Sequence, residues 1–178
     1  MFSIGHSTRA ADAFIALLAQ AGVRLLADVR AYPASRRHPH FGRDALSAAL
    51  QARGIGYLWL GASLGGHRPA AAESPNTALA PMWRGYADHM LTPRFGAGLA
   101  QLEACALAQP VAMMCAERNP GDCHRNFIAD SLVHRGWEVM HIIGADEIQA
   151  HHLQASARST EAGLIYPGAD QGQLGLGF

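Results

Sequence analysis

The stretch Val111-Ala112-Met113-Met114-Cys115-Ala116-Glu117-Arg118-Asn119-Pro120-Gly121-Asp122-Cys123-His124-Arg125-Asn126-Phe127-Ile128-Ala129-Asp130 sets the fold class of this chain. Val111 to Met114 is a short apolar run of strand length. Asp122 to His134 reads as a helix, amphipathic from Asn126 onward, and Gly136 stops it. Two thiols, a carboxylate, an imidazole and guanidinium groups are packed into the turn between them. In an open α/β sheet, turns of this kind at the carboxyl ends of strands are where ligands bind.

Outward from this unit, strand and helix signals alternate. Phe2 to Gly5 is strand-like. Ala11 to Gln20 follows with Phe14, Leu17, Leu18 and Ala21 at helical spacing, and Gly22 supplies the stop. Arg24 to Val29 and Ile55 to Leu60 read as strands, and Asp44 to Arg53 between them as a helix ended by Gly54. Met82 to Met90 and Pro93 to about Ala108 are helices, the second opened by its proline. Trp137 to Ile143 is a fifth strand, and Ala145 to Ala157 reads as a last helix. Arg30 to Arg43 and Gly61 to Pro81 are long polar loops, a length that in compact domains is functional or mobile. The series predicts one α/β domain over residues 1–160. Its mainly parallel five-stranded sheet carries helices on both faces in a Rossmann-like three-layer arrangement. A glycine-rich C-terminal extension at 161–178 follows, docked or loose.

Composition narrows the classes. The 178 residues are 49% apolar and 16% charged with zero formal net charge, which excludes a globally disordered chain and bulk electrostatic binding to nucleic acid. All 14 basic residues are arginine, whose planar fork suits carboxylates and phosphates. No run approaches the ~20 apolar residues of a membrane span, and no signal peptide is evident. The sparse, odd set Cys105, Cys115 and Cys123 points to free thiols and a cytoplasmic location.

In a parallel sheet the loops leaving the strands share one edge, and here those loops hold the densest polar chemistry. In the first, Ser7 or Thr8 caps the following helix or, with Arg9, forms an anion cradle. His6 is a structural histidine or a proton shuttle. In the second, Asp28 and Arg30 alternate around Val29 and so point to one side. They form a structural ion pair, or Asp28 orients Arg30 toward an anion. Arg36, Arg37, His38 and His40 add a basic patch beside Tyr32 and Phe41. In the third, Gly65-Gly66 permits a tight turn or close backbone approach. In the fourth, Cys123 stands at a helix start beside Arg125, which favours thiolate. Cys115 is a buried small residue or a second reactive thiol.

Spacing removes several templates. The cysteine phosphatase loop requires arginine six residues after its cysteine, and that position holds Gly121 after Cys115 and Ala129 after Cys123. No Cys-x-x-Cys is present. A structural zinc site calls for four ligands in paired spacings. Cys115, Cys123 and His124 give three, which His6 or His67 could complete from another loop, but adjacent Cys123 and His124 seldom aim at one ion. No metal ligand is therefore assigned, and the cofactor is left open by the sequence.

At these residues the chain resembles the domain of unknown function 488 family. The matching elements are Ile4-Gly5-His6-Ser7-Thr8 with Arg9, Asp28-Val29-Arg30 with Pro33, Ser35, Arg36 and Phe41, and Leu64-Gly65-Gly66. Met114-Cys115-Ala116-Glu117, Cys123-His124-Arg125 and Ile128-Ala129-Asp130 complete the pattern, in order, over roughly residues 2 to 143. The resemblance implies a bacterial, cytoplasmic α/β domain and brings no established reaction.

The expectation is an enzyme, a thiol-dependent transferase or hydrolase, acting on a small anionic or nucleotide-like substrate. Cys115, Glu117, Cys123, His124 and His6 are its catalytic candidates. Ser7, Arg9, Asp28, Arg30, Ser35, Arg36, Gly65, Gly66 and Arg125 are its substrate-binding candidates. The alternatives are a non-catalytic nucleotide or nucleic-acid binding module using Tyr32, Phe41, Trp59 and Trp83, and a thiol redox sensor. No membrane partner is expected, and the sequence leaves the oligomeric state open.

Overall fold

The computed structural model describes residues 1–34 and 36–168, so Ser35 and the tail from 169 onward lie outside the described residues. In chain order the elements are β1 (Phe2–Gly5), α1 (Ala11–Gln20), β2 (Leu25–Asp28), α2 (Arg43–Gln51) and β3 (Gly56–Trp59). Then come α3 (Gly61–Leu64), α4 (Pro81–Met90), α5 (Pro93–Ala108), β4 (Val111–Cys115), α6 (Arg125–His134) and β5 (Met140–Gly144). The last three are β6 (Glu147–Ala150), β7 (Arg158–Thr160) and β8 (Gly163–Ile165), and 3-10 turns at Pro39–Phe41 and Pro120–Asp122 precede α2 and α6.

The sheet order is β3-β2-β4-β1-β5-β6, with every neighbouring pair parallel except β5–β6. Alternation along β4 shows how both faces are covered. Val111, Met113 and Cys115 pack with Tyr86, Phe95, Leu99, Phe127 and Leu132 from α4, α5 and α6. Ala112 and Met114 pack with Phe14, Leu18, Leu46 and Leu50 from α1 and α2. The α/β class, the parallel core and the helices on both faces agree with the sequence pattern.

Local chemistry sets the helix ends. Gly22, at φ 70°, ends α1: its N–H donates to Ala19 O and the Val23 N–H to Leu18 O, a Schellman motif. Thr92 caps α5 through Oγ1 to the Phe95 N–H at 3.3 Å, with Pro93 in the first turn. The residue before α1 is Ala10, with no side-chain cap, so neither Ser7 nor Thr8 caps it.

Two expectations need correction. The sheet has six strands, and Ala145 to Ala157 is not a helix. The chain reverses after β5 into β6, which pairs antiparallel with it, Ile142 opposite Ile148. The segment beyond β6 is then held by Asp130, which is fully buried. Asp130 accepts from His151 Nε2 (2.8 Å), the Gln154 N–H (3.1 Å), Gln154 Nε2 (2.5 Å) and Tyr166 OH (2.8 Å). A backbone N–H committed to Asp130 is withdrawn from any helical ladder. The same anchor draws in residues beyond 160: β8 pairs with β7, and Leu164 and Tyr166 are buried in the core. Among the described residues no helix is long and apolar enough to cross a membrane.

The Asp130 network makes stability depend on pH. His141 Nε2 lies 2.9 Å from His151 Nδ1, and its own Nδ1 is buried without a partner among the described residues. Burial first, then the charges of His151 and Arg125, hold His141 down at about 4. The unfolded chain therefore binds more protons between about pH 6.5 and pH 4, and stability falls as the pH drops through that window. About 2 kcal/mol of this loss is expected from His141. Urea denaturation at pH 7 and pH 4.5 should show a smaller pH effect in His141→Gln than in the wild type. Equal pH effects would remove His141 from the account.

Candidate functional site

β4 lies at the centre of the sheet between β2 and β1, with Cys115 opposite Gly5 and Met114 opposite Asp28. The helices that follow β1 and β2 pack on one face, and α6, which follows β4, packs on the other. Connections that part to opposite faces open a crevice at the carboxyl ends of the strands. A pocket of about 920 Å³ occupies that crevice. All four loops expected to meet contribute to it: His6 to Thr8, Arg30 to Tyr32, Gly66 to Arg68, and the Cys115 to His124 turn. Trp83 and Tyr86 of α4 form a wall.

Two non-glycine residues among those described have positive φ, Ser7 at 51° and His67 at 60°, and both line this pocket. Such conformations cost about 1–3 kcal/mol and cluster at functional sites. Two glycines allow the elements to close on the site. A Cβ at Gly5 would lie 1.7 Å from the Glu117 carbonyl oxygen, and one at Gly66 would lie 3.0 Å from His124 Nδ1. Gly65 is equally confined, against Ala31 and the Gly61 carbonyl.

The floor holds the reactive groups. The Cys115 thiol donates to Glu117 Oε2 at 3.1 Å and lies 3.7 Å from His124 Nδ1; Cys123 Sγ lies 3.8 Å from the same nitrogen. His124 Nε2 lies 2.9 Å from the Val29 carbonyl oxygen. A carbonyl only accepts, so Nε2 carries a proton; Nδ1 faces both sulfurs, as a lone pair while the ring is neutral and as a donor once it has taken the Cys123 proton. The two sulfurs and Nδ1 all lie within 4.8 Å of one another. Contrary to the expectation from spacing, neighbouring Cys123 and His124 therefore do aim at one point. Cys123 is extended (φ −144°, ψ 143°) and His124 helical (φ −59°, ψ −20°), and this change of backbone turns both side chains inward. α6 starts at Arg125, three residues later than the spacing predicts, and the Arg125 N–H points at Cys123 Sγ at 3.5 Å.

The electrostatics divide the thiols. Burial raises Cys123, but hydrogen bonding with Cys115 and His124 and the charges of His124 and Arg125 outweigh it and bring the thiol to about 6. Cys115 is pushed well up by its hydrogen bond with Cys123, then by burial and the charges of Cys123 and Glu117. Burial opposes ionisation of Glu117, yet the thiol hydrogen bonds it accepts leave it below the usual carboxylate range.

The remaining candidates divide by position. Asp28 lies behind the pocket, fully buried, and grips Arg30 through Nε–H at 2.9 Å and Nη2 at 2.5 Å. Arg30 also donates to the Phe41 carbonyl and, at 3.3 Å, to His6 Nε2, and its remaining surface lines the pocket. His6 must then carry its proton on Nδ1, donated to the Ser7 carbonyl, and burial holds it neutral, with its pKa at about 4. Arg9 is turned away and straps the Gly5 and Ile143 carbonyls together across the ends of β1 and β5. Arg125 is also turned away. It is 1% exposed and donates to Ser3 Oγ and to the Glu117 and Arg118 carbonyls. Arg36 is exposed outside the pocket lining, and Ser35 is outside the described residues.

Arg37 and Arg68 supply cations to the rim instead. Arg37 was visible in the sequence as part of the basic patch, whereas Arg68 was not singled out there. Tyr86 was not visible as a site residue. It is buried, its hydroxyl donates to the Leu64 carbonyl at 2.8 Å, and its ring centroid lies 5.1 Å from that of His124. Cys105 is apart, on α5.

A family model described as "Domain of unknown function DUF488" matches residues 10–132. That span includes Asp28 to Arg30, Gly65-Gly66 and the whole Cys115 to Arg125 turn. No curated protein and no solved structure gives a match.

Proposed function

Because the chain belongs to the DUF488 family, a membership that names no reaction, we propose a function from the site alone: an enzyme of the transferase or hydrolase class acting on a small anionic or nucleotide-like substrate. One observation carries this reading. The thiol pair, His124 and Glu117 form the floor of a single pocket whose rim holds Arg37, Arg68 and the free edge of Arg30.

The cluster has the parts of nucleophilic catalysis: a thiol, an imidazole lone pair beside it, and a group orienting the imidazole, here the Val29 carbonyl. In the metal-free chain the Cys123 thiolate attacks an electrophilic carbon or phosphorus of the substrate. The bond to the leaving group breaks, and that group takes the proton that His124 Nδ1 received from the Cys123 thiol. Water or a second acceptor then displaces Cys123 and regenerates the thiolate. Trp83 and Tyr32 offer surfaces to an apolar or aromatic portion of the substrate.

The anion arm is testable without knowing the reaction. In calorimetric titrations a nucleoside monophosphate should bind at least about tenfold more tightly than the uncharged nucleoside. Arg68→Ala and Arg37→Ala should each remove about tenfold of that affinity, in line with loss of a charge-assisted contact. Equal affinity for nucleotide and nucleoside, or no effect of either substitution, would overturn the anion pocket.

A further inference from the structure

We propose that Cys115 Sγ, Cys123 Sγ and His124 Nδ1 form a three-ligand site for a soft divalent transition metal ion of the zinc type, with its fourth position open to the pocket. This deepens, and rests on, the reading of the cluster as the reacting centre. With the ion bound, the sulfurs are ligands rather than a nucleophile.

The first argument is geometric. Zinc–sulfur bonds of about 2.3 Å and zinc–nitrogen bonds of about 2.0–2.1 Å in a tetrahedron set a sulfur–nitrogen edge of about 3.5–3.6 Å. The observed edges are 3.7 and 3.8 Å, and all three atoms lie within 4.8 Å of one another. The three residues are buried, which protects coordinated thiolates from exchange and oxidation.

The second argument is the surrounding shell. Metal-bound histidines donate their other ring nitrogen to a carbonyl or carboxylate, which fixes ring and tautomer, and the Val29 carbonyl does this for His124 at 2.9 Å. Cys123 Sγ already receives a backbone N–H from Arg125 at 3.5 Å. Two thiolates cancel the charge of a divalent ion, so the bound site is neutral apart from its neighbours.

The third argument is the open position. Three protein ligands with a free fourth place are the arrangement of catalytic rather than structural zinc. Glu117 Oε2, 3.1 Å from Cys115 Sγ, stands beside that place as a base for a bound water, and the pocket supplies room for a substrate. Soft thiolate ligands with an imidazole select zinc or cobalt over magnesium or calcium.

The test uses cobalt as a spectroscopic probe. Reduced, metal-stripped full-length protein titrated with Co(II) should show thiolate-to-cobalt charge transfer and the visible bands of tetrahedral cobalt at one equivalent, displaced by Zn(II). Cys115→Ser, Cys123→Ser and His124→Asn should each weaken binding by at least a hundredfold while circular dichroism stays native, and Cys105→Ser should change nothing. If a variant does not fold, the charge-transfer band in the wild type decides by itself. No such band, or one retained in the Cys115→Ser and Cys123→Ser variants, overturns the site. Absence of cobalt binding with nucleotide selectivity intact removes the metal and leaves the pocket. Cobalt binding without nucleotide selectivity leaves the metal site and removes the anion pocket.

Discussion

Asp28→Ala is expected to destabilise the fold by roughly 3–5 kcal/mol, because it strips a buried guanidinium of the one carboxylate that pairs with it among the described residues. Asp28 is fully buried. It accepts the Arg30 backbone N–H at 3.0 Å, Arg30 Nε–H at 2.9 Å, Arg30 Nη2 at 2.5 Å and Tyr57 OH at 2.7 Å. Arg30 is 6% exposed and cannot turn out to water without abandoning the Phe41 carbonyl and His6. The loss is thus the cost of an uncompensated charge rather than the worth of one ion pair. It follows that Asp28→Ala/Arg30→Met should recover a large part of the stability, since replacing both partners by apolar groups is far cheaper than removing one. Urea denaturation of wild type, single and double variants measures this. A single variant within 1 kcal/mol of wild type, or a double variant no better than the single, would show that the charge is not held as described. The site should suffer with the fold, because Val29 between the pair carries the carbonyl that fixes His124.

That pair also shows what a sequence can and cannot say. The spacing Asp28-Val29-Arg30 places the two charges on one side of a strand end, and they do meet. The apolar run Val111 to Met114, and Gly22 and Gly54 at helix ends, are consequences of local geometry and so were legible. The order β3-β2-β4-β1-β5-β6 was not, because it depends on which crossover the packed helices allow. The fate of residues 145–157 was decided by the pairing of β6 with β5 and by Asp130, which binds His151 and Gln154, 21 and 24 residues further along the chain. The site was legible as a meeting of four loops, but not in its orientations. Arg9 and Arg125 are chemically identical to Arg37 and Arg68, yet the first two lie outside the pocket lining and the second two belong to it, Arg68 while it also donates to the Gly65 and Ala62 carbonyls. A turn between an extended Cys123 and a helical His124 likewise has no signature in residue type.

Arg125→Met is expected to cost roughly 3–4 kcal/mol and to loosen the turn from Glu117 to Asp122. Arg125 is 1% exposed, and no carboxylate pairs with it among the described residues. It is the first residue of α6, where the helix dipole opposes a cation. A buried charge in so poor a place needs compensation, and it comes from the carbonyls of Glu117 and Arg118, from Ser3 Oγ and from the neighbouring Cys123 sulfur. Methionine would fill the space but leave those two carbonyls without their donors, each a loss of about 1–3 kcal/mol if they stay dry. Lysine would keep the charge but cannot make three divergent bonds from one ammonium, so Arg125→Lys should recover less than half of the loss. Because Glu117 and Cys123 bracket the turn that Arg125 ties to β1, both the cobalt affinity and the nucleotide affinity should fall in Arg125→Met even at temperatures where the fold persists. Amide exchange across residues 117–122 should accelerate in that variant and not in Arg37→Ala. Unchanged exchange there, with stability within 1 kcal/mol of wild type, would mean that the guanidinium does not hold the turn, and the preorganisation of the thiols would need another cause.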